Sequence, residues 1–97
     1  MIEKTGNSLR VTVPMLIANA SALLEAGRRF LQAGAPTGEL LFDFSAVEEA
    51  DSSALTLLFA WLRTAREQNI TLHVAHLPAS LLILAELYGV SDFLPLA

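Results

Sequence analysis

The 97-residue chain has 54% hydrophobic and 16% charged residues, enough apolar side chain to bury one core and too much for a disordered segment. Six basic residues against ten acidic ones give a formal charge of -4, and the arginines at positions 10, 28, 29, 63 and 66 form no stripe, which argues against nucleic-acid binding. With no cysteine, a disulfide framework, thiolate catalysis and Cys-ligated metal centres are excluded.

The opening "MIEKTGNSLR" lacks the charged-then-apolar run of a signal peptide, and no stretch reaches the roughly 18 apolar residues of a spanning helix. "IEKT" and "SLRVTV" flank Gly6-Asn7, a pair suited to a tight hairpin. From Asn19, a suitable N-cap, the residues Ala20, Leu23, Leu24, Gly27, Phe30 and Leu31 recur at helical spacing until Gly34. Gly27 falls on the apolar side, where a missing side chain lets a neighbouring helix come close.

"ELLFDFSAV" then reads as a strand, "SSALTLLFAWLRTAREQN" as a helix, "ITLHVAHL" as a strand and "ASLLILAELYG" as a helix between Pro78 and Gly89. No repeat, low-complexity run or linker divides the chain, so residues 1–97 are expected to form one domain. The order is β-β-α-β-α-β-α, an α/β chain with parallel crossovers after an antiparallel pair. Apolar and more polar residues alternate in the strands: Leu40, Phe42 and Phe44 against Leu41, Asp43 and Ser45, and Ile70, Leu72 and Val74 against Thr71, His73 and Ala75. Such alternation predicts a mixed four-stranded sheet with helices mainly on one face.

The polar island "ADSSALT" marks the junction between a strand and the longest helix. Asp51 or Ser52 suits the cap of that helix, and the free amides of its first turn also suit a phosphate. An enzymatic triad finds no support, since no Gly-x-Ser-x-Gly elbow surrounds Ser52 or Ser53 and no phosphate loop or dinucleotide fingerprint is present. His73 and His76, three apart in the strand reading, point to opposite faces and make no metal pair. No catalytic residue, metal or cofactor is therefore expected. At 100° per residue, Leu55, Leu58, Phe59, Leu62 and Ala65 form the core stripe of the long helix. Leu57 and Trp61 lie on its flank, either as the edge of the core or as an apolar patch for a partner.

The hairpin start followed by "LLFDFSAVEEADSSALTLLFAWLRTAREQNITLHVAHLP" and a final helix resembles the STAS domains, across nearly the whole chain. That resemblance implies a SpoIIAA-like fold, no enzymatic activity, and function through protein contacts near the loop before the long helix. In the anti-sigma-factor antagonist branch the hydroxyl directly after the Asp accepts phosphate, which maps onto Ser52; Ala54 stands where that branch has glycine. The compact start and the close "LAELYGVSDFLPL", with Leu84, Leu87, Tyr88, Asp92, Leu94 and Pro95, are more similar to the MlaB branch. Members of that branch bind the MlaF-like ATPase subunit of an ABC phospholipid transporter, whose permease is a separate chain. They support its assembly and activity in maintaining outer-membrane lipid asymmetry. The resemblance thus implies a cytoplasmic chain, held at the inner membrane through the transporter; its contact region is expected at Asp51, Ser52 and Ser53 of the loop, with Leu57 and Trp61 next along the helix. The alternatives are an anti-sigma-factor antagonist that meets a kinase-like anti-sigma factor through Ser52, and a purely structural or small-ligand-binding module.

Overall fold

The computed structural model describes residues 1–97. Strands β1 (Ile2–Thr5) and β2 (Ser8–Val11) form an antiparallel hairpin, with Thr5 paired to Ser8 across Gly6-Asn7. Positive φ falls on Gly6 but not on Asn7, the pattern of a II′ turn, which reserves its first central position for glycine. Helix α1 (Ala20–Gln32), strand β3 (Glu39–Asp43), helix α2 (Ser53–Glu67), strand β4 (Thr71–Ala75) and helix α3 (Ala79–Leu87) follow, with 3-10 turns at Ile17–Asn19 and Ser91–Phe93. The sheet order is β1-β2-β3-β4, parallel from β2 onward. Element order and mixed topology match the sequence reading.

Alternation in the strands sets the layers. Leu9, Val11, Leu40, Phe42, Leu72 and Val74 are buried, as are Leu23, Gly27 and Leu31 of α1, Leu58, Trp61 and Ala65 of α2, and Leu81 and Ala85 of α3. On the other side of the sheet Arg10 and Thr71 are exposed and Leu41, Asp43, His73 and Ala75 are half-buried. The C-terminal segment adds a short pairing to the outer edge of β4: the Val74 N–H donates to Pro95 O at 3.0 Å and the Ala97 N–H to Val74 O at 2.9 Å. Pairing there is limited because Pro95 has no N–H to offer the next rung.

Two expectations need correction. The buried arc of α2 is Ala54, Leu55, Leu57, Leu58, Trp61, Thr64 and Ala65, whereas Phe59 and Leu62 of the predicted stripe are half-exposed. The arc is turned toward α1 because α2 packs against a helix as well as a sheet, and a single-stripe reading allows for only one neighbour. His76, in turn, lies beyond the end of β4 with φ 58°, so strand alternation does not apply to it.

An aromatic stack ties the layers together. The Trp61 ring lies over Phe42 with centroids 4.3 Å apart and planes 6° apart, and Phe42 continues to Phe44 at 5.9 Å. The Trp61 Nε1–H donates to the Leu24 carbonyl of α1 at 3.1 Å, so one side chain joins sheet, α2 and α1.

Candidate functional site

The first turn of α2 is built by Asp51. Its Oδ1 accepts the Ser53 N–H at 2.9 Å and also the Ser53 hydroxyl. In chemical terms Asp51 is the N-cap, satisfying the amide two residues on, with Ser52 already in helical conformation at φ -62°. Its other oxygen, Oδ2, accepts the Ile17 N–H at 2.9 Å. The backbone fixes the same junction: the Met15 N–H donates to Glu49 O at 2.9 Å and the Asp51 N–H to Met15 O at 3.1 Å. Asn19 completes it by donating to Pro14 O at 2.6 Å and accepting the Leu16 N–H at 3.1 Å. The sequence reading makes Asn19 a helix cap; its side chain instead reaches backward and locks the 3-10 turn, leaving no cap bond to α1.

This clamp forms one end of an open groove of about 550 Å³ between the start of α1 and the first half of α2. Ile17, Ala20, Ser21 and Leu24 line one wall, and Asp51, Ser52, Ser53, Thr56, Leu57 and Ala60 the other. Its walls are largely apolar, with the Ser52 and Thr56 side chains exposed at the solvent side.

The five contact residues expected from the sequence separate here. Asp51, Ser52 and Ser53 share the groove mouth, but the Asp51 carboxylate and the Ser53 hydroxyl are engaged with each other, whereas the exposed Ser52 makes no cap bond. Leu57 is 4% exposed and belongs to the groove floor. Trp61 is 0% exposed, so of its two readings the structure matches the core residue and not the exposed patch: the indole is held inward by Phe42 and Leu24. Trp61 shapes the groove from within, by fixing α1 against α2. The sequence reading missed Ile17, 74% exposed on the groove rim. Its position depends on Asp51, 34 residues away, a pairing that local patterns do not reveal.

The hydrogen bond from the Ser53 hydroxyl, with the Ile17 amide next in weight, holds the Asp51 carboxyl below its ordinary value of 3.8. Burial pushes Asp43 up, but the Ser45 N–H and hydroxyl, with His76 and Arg10, bring it below 3.8 as well. A depressed folded-state pKa contributes stability that is present above the unfolded value and lost as pH falls through the folded one. The chain is therefore expected to lose stability as pH drops below 3.8, with Asp51→Asn removing part of that dependence. Asn offers one acceptor oxygen where Asp51 uses two, so amide exchange at Ile17 and Ser53 should accelerate in the variant. Unchanged protection of both amides would contradict the clamp.

No group of three or more His, Asp or Glu side chains is placed to hold a metal ion, and no helix is long and apolar enough to cross a membrane. Against solved structures the fold is similar to a putative anti-sigma factor antagonist from Thermotoga maritima, at TM-score 0.76 and 14% identity over 99% of this chain and 83% of that one. It is also similar to the anti-sigma factor antagonist SpoIIAA in its unphosphorylated form (TM-score 0.73, 14% identity, 100% and 86% covered). An anti-sigma-factor antagonist (STAS) domain protein from Planctomyces limnophilus gives TM-score 0.74 and 13% identity over 98% and 86%. At such identities the likeness shows the fold alone. No curated protein matches the sequence. The family model described as "Mlab, STAS domain" matches residues 1–96, and the chain belongs to the STAS domain family.

Proposed function

We propose that this STAS domain is an accessory subunit that binds the ATPase of an ABC phospholipid transporter, supports its assembly and activity in maintaining outer-membrane lipid asymmetry, and stays at the cytoplasmic side of the inner membrane through that contact. The carrying observation is the groove mouth: an exposed Ser52 beside Ile17 and above an apolar floor, held in shape by Asp51. Such a surface accepts a protein side chain, with small polar groups at its rim and apolar area at its centre. The match to the family model described as MlaB supports the transporter partner over other STAS partners. The Ala54 side chain is buried, filling space that a glycine would leave empty.

Ser52→Glu places a carboxylate where a hydroxyl fits and sets it beside Asp51. Purified ATPase is expected to bind this variant about tenfold or more weakly than wild type, a loss on the scale of 1.4 kcal/mol. Binding within twofold of wild type would remove Ser52 from the contact. Co-purification from the native host, read together with the neighbouring genes, tests the wider reading: an ATPase and permease support it, and an anti-sigma kinase with a sigma factor overturns it.

A second reading, an anti-sigma-factor antagonist switched by phosphorylation of Ser52, is favoured by one observation. The Ser52 side chain is exposed immediately before a 15-residue helix, free of the bonds that occupy Ser53. Incubation with such a kinase should add one phosphoryl group to wild type and none to Ser52→Ala.

A further inference from the structure

On the side of α2 away from the groove, two adjoining hollows of about 300 and 290 Å³ share Leu62, Arg66 and Phe93. Phe93 is 70% exposed on the 3-10 turn after α3, and Phe59 and Leu62 lie half-exposed beside it. Arg63 and Arg66 both line this trough and are exposed, and neither forms a salt bridge, since the one in the molecule joins Arg28 to Glu25. Glu67 and Asp92 are near in sequence, but no carboxylate lines either hollow. On a chain of net charge -4, this is a place where an apolar surface carries positive charge on its walls.

We infer that the trough at Phe93 is a second docking surface, for a segment of a partner protein that carries carboxylates beside a bulky apolar side chain. The apolar group fills the hollow against Phe93 and Leu62, and the carboxylates meet the two guanidinium groups. An anionic membrane surface fits less well, because two arginines supply only about 2 kcal/mol of attraction at about 1 kcal/mol each, against the repulsion of a net acidic chain. The inference rests on the functional reading above for the identity of the partner, the transporter ATPase. Ser52 at the start of α2 and Thr56 and Arg63 on it are all exposed, so one partner touching the groove mouth meets a continuous helix face leading to the trough.

The test measures binding of the purified ATPase subunit to wild type, to R63E/R66E and to Phe93→Ala, over a range of salt. All three altered residues are exposed, and equal thermal melts confirm intact folding. The expected result is about a tenfold loss of affinity for R63E/R66E, with a flatter salt dependence, and a loss of about fivefold or more for Phe93→Ala. If wild type binds and both variants bind within twofold of it, the trough is not a docking surface, although the groove reading stands. If wild type itself does not bind, both readings fall. Recruitment of wild type, but not R63E/R66E, to phosphatidylglycerol vesicles would also overturn the inference, by assigning the trough to a membrane.

Discussion

Trp61→Ala is expected to destabilise the chain by about 3–5 kcal/mol, read as a shift in the urea midpoint. The indole is 0% exposed, stacked on Phe42 at 4.3 Å, and bonded through Nε1 to Leu24 O. Removing it opens a cavity at the point where sheet, α1 and α2 meet. A domain of this size has only about 5–15 kcal/mol of stability in total, so the variant should be close to unfolded at physiological temperature. Its melting temperature should fall by about 12 °C or more. The experiment also separates the two roles that the sequence left open for Trp61. A surface contact would give wild-type stability and lost binding, whereas a core residue gives lost stability first. A cost below about 1 kcal/mol would return Trp61 to the surface and contradict the packing described above. Trp61→Phe should cost less than the alanine change, because it retains a ring over Phe42 and loses mainly the N–H bond to Leu24.

The sheet was readable because its physics is local. Alternation along "ELLFD" and "TLHVA" assigns Leu40, Phe42, Leu72 and Val74 to one face, and Gly6 and Gly34 mark a turn and a helix end where positive φ is required. The STAS resemblance, drawn from residue order, agrees with the family match over residues 1–96. What the sequence hid depends on pairs far apart in the chain. Ile17 owes its place to Asp51, and the inward turn of Trp61 depends on Gly27 and Leu24, neither of which a helical wheel of α2 contains. For the same reason a helical wheel assigns Phe59 and Leu62 to the core: it shows which residues share a face but not how many neighbours the helix has. The role of Asp51 was half legible. A helix cap was visible in the "ADSSALT" junction, but its second oxygen binding the start of α1, and the exposure of Ser52 that results, needed the fold.

Gly27→Ala reverses the usual sign of such a change. An alanine inside a helix ordinarily stabilises by up to about 1 kcal/mol over glycine, through helix propensity and a less flexible unfolded chain. Here an added Cβ would lie 2.7 Å from Trp61 Cζ2 and closer still to Cε2 and Nε1, nearer than real Cβ atoms approach other heavy atoms. The indole has no room to yield, being fixed by Phe42 on one face and by Leu24 at its nitrogen. The two helices must therefore separate, at a cost of about 1–3 kcal/mol that outweighs the propensity gain. Double-mutant analysis gives the decisive reading: with Trp61→Ala in place, the clash is gone, so Gly27→Ala should cost little or become stabilising. Strict additivity would show that Gly27 and Trp61 do not meet. The change also tests how the site is held. Leu24 and Ile17 lie on one groove wall and Ser52 on the other, so displacing α1 from α2 alters their spacing without touching a lining residue. Partner binding by whatever folded Gly27→Ala remains should accordingly fall, and wild-type affinity in that variant would mean that the contact depends on the turn at Asp51-Ser52 alone.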